Sequence, residues 1–146
     1  MIDRSNIGKS FPPYAVEVEN HQLRLFAKAI GETNEVYTDE KAAAAQGYSA
    51  LPAPPTFGFS LSLSKPNVFE AYEALGIDLS RLLHGEQKFD YIAPIHVGDV
   101  ITLHEKITDI FEKPEKRLEF IVIQTSLVNQ HNEHVGEMTN TLVIKN

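Results

Sequence analysis

Between residues 83 and 144 the chain passes through four segments, 83–92, 99–111, 118–129 and 135–144, rich in Val, Ile, Thr and Phe. The intervals 94–98, 112–116 and 130–133 are short and carry turn formers such as Pro94, Gly98, Pro114 and Asn132. Strands joined by so little chain predict an antiparallel meander. Upstream, Pro52, Pro54 and Pro55 keep the backbone out of a helix until residue 56. Residues 56–64 can then form one compact helix, with Phe57, Phe59, Leu61 and Leu63 on almost every side. A helix apolar all round requires burial. The pattern therefore predicts an α+β chain with helices on one face of an antiparallel sheet.

The remaining segments fit around that plan. The paired prolines Pro12 and Pro13 make residues 7–13 extended, and the alternation in 14–18 predicts a strand. Glu19 or Asn20 caps a helix whose apolar residues Leu23, Phe26, Ala27 and Ile30 recur at helical spacing, and Gly31 ends it. Asp39 starts a second short helix over 40–46, closed by Gly47. Pro66 stops the apolar helix, and 68–75 predicts a further one ended by Gly76.

A length of 146 residues suits one domain, 1–146, with a core large enough to fold unaided. No apolar run approaches the length that spans a bilayer, and residues 1–6 contain no signal-peptide core. The absence of cysteine excludes disulfides, a catalytic thiol and thiolate metal sites, and makes a cytoplasmic location the default. A net charge of −7 argues against nucleic acid as a partner, because phosphate contacts need a basic surface. His131 and His134 lie at a hairpin tip, where solvated side chains are expected rather than metal ligands. No glycine-rich loop cradles phosphate, so neither metal nor cofactor is expected. His84, Glu86 and Lys88 alternate onto one strand face, opposite Gly85, Gln87 and Phe89. Gly85 marks a bulge or a close backbone approach to a ligand.

The chemistry concentrates in residues 29–37, Ala-Ile-Gly-Glu-Thr-Asn-Glu-Val-Tyr. On those residues alone the loop reads as a C-cap glycine followed by turn residues, with Tyr37 packed on a core edge. In its setting it resembles the Gly-Asp-x-Asn-Pro-x-His signature of the MaoC-like (R)-specific enoyl-thioester hydratases and dehydratases, which also lies between two helices. Gly31 and Asn34 keep their places, while Glu32, Glu35 and Tyr37 stand where the family has Asp, Pro and His. The resemblance covers nearly the whole chain. Residues 83–91 followed by Pro94-Ile-His-Val-Gly98-Asp99 look like the family's strand and Pro-x-x-x-Gly-Asp turn. Ala53-Pro54-Pro55-Thr56-Phe57 is similar to the variant in non-catalytic MaoC-like subunits, including those of mycobacterial-type fatty acyl dehydratases.

That resemblance implies a hot-dog fold, a curled antiparallel sheet wrapped around a central helix. It also implies a substrate: an acyl thioester of coenzyme A or acyl carrier protein, reversibly hydrated. Hydration moves one proton at the α-carbon and another at the β-oxygen, for which the family uses a carboxylate and an imidazole. A phenol has an ordinary pKa of about 10, so Tyr37 can donate a hydrogen bond but makes a poor base. Losing one acid–base group typically removes about 10²–10⁴-fold in rate. Glu32 retains a carboxylate but moves it by one methylene, and a shift of about 1 Å can cost roughly 10²-fold. The two losses need not multiply. In active members a backbone N–H near Pro54 and Pro55 binds the thioester oxygen. Proline has none, so its loss is worth about 10²–10³-fold if Pro55 holds that place; a one-residue offset gives the role to Thr56.

The expected roles follow. Glu32 and Tyr37 occupy degraded catalytic positions, and Asn34, Pro55, Thr56, Phe57, Phe59, Phe69 and Gly85 are candidate substrate-binding residues. Residues 67–82 form an insertion that either enlarges the acyl tunnel or packs on the sheet as an ordinary surface helix. Hot-dog subunits pair through an edge strand, so the expected partner is another hot-dog subunit, in a homo- or hetero-oligomer. The chain is expected to shape the tunnel while a partner supplies Asp and His. The alternatives are a self-sufficient homodimeric hydratase using Glu32, a thioesterase, and an acyl-thioester binding module.

Overall fold

The computed structural model describes residues 2–146. Strand β1 (Tyr14–Glu17) and helix α1 (Asn20–Ala29) come first, followed by α2 (Glu40–Ala45), α3 (Phe57–Ser62) and α4 (Glu70–Ala74). Strands β2 (Leu82–Tyr91), β3 (Val100–Lys113), β4 (Leu118–Val128) and β5 (His134–Lys145) complete the chain. Asp39 caps α2 through its side chain, accepting from the Ala42 N–H at 2.8 Å. Gly31 turns the chain out of α1 at φ +70°, a conformation that costs glycine little. Among the described residues no helix is long and apolar enough to cross a membrane.

All five strands form one antiparallel sheet in the order β1-β3-β4-β5-β2. The predicted meander therefore holds for β3, β4 and β5 only. Strand β2 pairs with β5, so the connection to β3 must cross three strand spacings, about 14 Å. Residues 92–99 reach that far when extended. They are stitched down on the way: Gly98 donates to the Val18 carbonyl at 2.8 Å and Val97 to that of Leu51 at 2.8 Å. Ala53 in turn donates to the Ile95 carbonyl at 2.7 Å.

The sheet curls around α3 as the hot-dog fold requires. Phe57 and Leu61 pack on Ile101, Leu103, Leu127 and Met138. The expectation of a helix buried on every side is too strong. It stops at Ser62, and Leu63, past its last turn, is 55% exposed. Beyond α3, residues 67–81 cover the rest of the concave face. Ile77 is buried against Ile107, Ile121 and Leu142, with Tyr72 and Leu75 packed alongside.

One irregularity changes which side chains face inward. The β2–β5 register shifts between His84 and Glu86, leaving Gly85 as the extra residue of a bulge. A Cβ on Gly85 would lie 2.6 Å from Val143 Cγ2 and 3.0 Å from the Thr141 carbonyl oxygen. Because of the bulge, His84 pairs with inward-facing Leu142, and Gln87 with Asn140. His84 thus shares the inner face with Gln87 and Phe89, and not the outer face of Glu86 and Lys88 that strict alternation predicts.

Candidate acyl-binding site

The loop of residues 30–37 follows α1. Glu32 folds back onto its own backbone, its Oε1 accepting from the Asn34 N–H at 2.8 Å. Asn34 is exposed and caps the next turn, its Oδ1 accepting from Val36 N–H at 3.1 Å. That one-turn 3-10 helix, Glu35–Tyr37, buries Val36 in a small cluster with Ala43 and Leu51 and presents Tyr37 to a cavity. Residue 37 is therefore placed by the turn chemistry of 32–36, whatever side chain it carries.

The cavity has a volume of about 300 Å³. Tyr37, Tyr48 and Tyr91 stand in its wall together with Pro55, Gly58 and Met138. Burial raises the Tyr37 phenol above its ordinary pKa, and the nearby Glu32 carboxylate and Tyr48 add to the shift. Burial also raises Tyr91, with Tyr37 next in effect. These groups hold their protons at neutral pH and can donate hydrogen bonds, but they cannot accept a proton there. No histidine lines this cavity among the described residues. At its α3 end Pro55 has no N–H, and the Phe57 N–H is committed to the Pro54 carbonyl at 2.9 Å.

A second cavity, about 230 Å³, lies on the far side of Met138, which alone among the described residues lines both. Phe59 and Phe69 contribute to its wall, as do Val68 and Tyr72 from the segment 67–82. Within this segment Ile77 packs on the sheet, while Phe69 and Tyr72 stand in the cavity wall. The opposite wall is partly polar. Glu105 pairs with Lys65, and His84 and Gln87 bond each other at 3.3 Å. Burial, then Glu105, pushes the Tyr72 phenol up to about 12.

The candidate residues therefore divide. Tyr37 and Pro55 line the first cavity, and Phe59 and Phe69 the second. Glu32, Asn34, Thr56, Phe57 and Gly85 line neither. Phe57 instead turns to α1, where its ring meets Phe26 edge-on with centroids 5.4 Å apart. Sequence reasoning missed Tyr48, Tyr91, Met138 and Asn140. The period-two pattern of 135–144 puts Met138 and Asn140 on one face, a signal that could have found them. For His84 strict alternation pointed the wrong way.

Comparison with known proteins agrees with this architecture. The family described as FAS1-like, dehydratase domain region, matches residues 5–138. A UPF0336 protein of Streptomyces avermitilis is 36% identical over 145 residues, covering 99% of this chain and 95% of the relative. A UPF0336 protein of Streptomyces coelicolor is 37% identical with the same coverage. Among solved structures, the HadBC (3R-hydroxyacyl-ACP dehydratase) complex from Mycobacterium tuberculosis contains a chain similar at TM-score 0.79 and 26% identity. That match covers 94% of this chain and 96% of the other. The (R)-hydratase PhaJ1 of Pseudomonas aeruginosa has the same fold, with TM-score 0.67 and 19% identity, over 95% of this chain and 81% of PhaJ1.

Proposed function

The chain belongs to the family of FAS1-like dehydratase domain regions, and from that premise we propose that it is the tunnel-shaping subunit of an (R)-3-hydroxyacyl-thioester dehydratase or enoyl-thioester hydratase. The observation that carries the proposal is Tyr37. A phenol stands in the cavity wall where the family's signature has an imidazole, in surroundings that hold its proton in place. Glu32 hydrogen-bonds its own loop, so neither position offers a proton acceptor to a thioester in that cavity. A binding surface remains, together with phenolic donors.

The missing proton acceptor would come from a second hot-dog subunit carrying the intact Asp and His. The similar chain of HadBC comes from a complex, which supports that division. Strand β2 offers the place for it. It is the outermost strand of the sheet beyond β5, and Leu83, Tyr91 and Ile92 stand exposed at its two ends.

The test is hydration of crotonyl-coenzyme A by the purified chain, alone and co-expressed with a homologous Asp/His subunit. The expected result is a rate about 10²–10⁴-fold lower for the chain alone. Comparable hydration by the isolated chain, abolished by Glu32→Gln, would overturn the proposal in favour of a self-sufficient enzyme.

A further inference from the structure

The second cavity is more polar than a tunnel for a plain hydrocarbon chain needs to be. Apart from Lys65, Glu105, His84 and Gln87, its wall includes Thr125, a buried polar residue of β4, and Asn140 of β5. Asn140 is the informative one. Its Oδ1 is buried and finds no hydrogen-bond donor among the described residues. Its cross-strand neighbour on β2 is Gln87, whose carboxamide bonds His84 and the Lys88 carbonyl and not Asn140. Its neighbour on β4 is Ile123, and along β5 its inward-facing neighbours are Met138 and Leu142, none of which can donate. Buried polar atoms are almost always matched, so an unmatched acceptor in a cavity wall marks where a ligand's donor belongs.

We propose that this cavity is a distal chamber reading a hydroxyl group on the acyl chain, beyond the reacting carbons, with Asn140 as the specificity-determining residue. The inference rests on the acyl-tunnel reading above and adds to it the class of chain. Met138 sets the route. It closes against α3, its Sδ lying 3.4 Å from where a Cβ on Gly58 would stand, and it is the one side chain shared by both cavities. A thioether on an unbranched stem re-packs easily, so a long chain can displace it where a branched or aromatic side chain would resist. Met138 and Asn140 are two residues apart on one strand face, which places the hydroxyl about 7 Å past the methionine. A plain chain reaching the chamber buries methylenes against Oδ1 and leaves it unmatched. A hydroxylated chain donates to it.

The experiment is calorimetric titration of the purified full-length chain with three acyl-coenzyme A thioesters of equal length: unsubstituted, hydroxylated along the distal half, and keto-substituted at the same positions. At one matched position the hydroxyl form should bind at least ten-fold tighter than the other two, because a carbonyl cannot donate to Oδ1. Asn140→Leu, close in volume, should erase that preference while keeping affinity for the unsubstituted chain and the melting temperature. Met138→Phe, which narrows the passage between the two cavities and leaves Asn140 in place, should erase it too while short thioesters still bind. Equal affinity for all three thioesters in the natural chain, or a preference that survives both substitutions, would overturn the inference and leave the acyl-tunnel reading standing. Failure of every thioester to bind would sink both.

Discussion

Tyr37 and Glu32 sit in a loop whose shape is set by its own backbone and turn residues. The backbone of 31–37 is fixed by the positive φ of Gly31, by Glu32 accepting from Asn34 and by Asn34 accepting from Val36. None of these needs an imidazole at residue 37. Tyr72 lends itself to a pH experiment. Its phenol ionises near 12 in the folded chain and near 10 when unfolded, so the unfolded state gives up its proton first as pH rises. Stability should hold up to about pH 10 and then fall by up to roughly 2 kcal/mol as pH approaches 12. Urea unfolding at about pH 9 and pH 11.5 should show that fall, and Tyr72→Phe should reduce it. Gly85 is a packing residue. Gly85→Ala drives a Cβ onto Val143 and the Thr141 carbonyl, and should lower stability by about 1–3 kcal/mol in the same assay at neutral pH.

At the level of elements, the strands of the second half and the helix capped by Asp39 were readable because apolar period and turn residues agree there. The order of the strands was not. Short connections suggest neighbours, whereas residues 92–99 carry the chain from edge strand β2 past β5 and β4 to β3, which lies inside the sheet beside β1. The bulge at Gly85 was legible as a glycine in a strand, but its effect was not. One unpaired residue turns His84 inward over Phe59, with ring centroids 5.3 Å apart. Since β2 is an outer strand, the charge-introducing pair Leu83→Lys and Ile92→Asp should weaken assembly with another hot-dog subunit about ten-fold or more. Because both side chains are largely exposed, the melting temperature should stay within a degree or two. Sedimentation velocity and thermal melts would check both.

Across the whole molecule, the fold and the family were legible because residues 29–37, 53–57 and 83–99 together carry the family's pattern. The two cavities were only half legible. Phe59 and Phe69 could be nominated as lining, whereas the wall between the chambers depends on Met138, an apolar strand residue like many others. The proposed division of labour between pocket and proton transfer turns on two departures from the family signature, Glu32 for Asp and Tyr37 for His. The most direct measurement is kcat/KM for crotonyl-coenzyme A hydration by the chain alone, before and after the double substitution Glu32→Asp with Tyr37→His. A rise of about 10²-fold or more, with a pH profile showing a group that titrates near neutrality, is expected. A natural chain that already matches the double variant would contradict it.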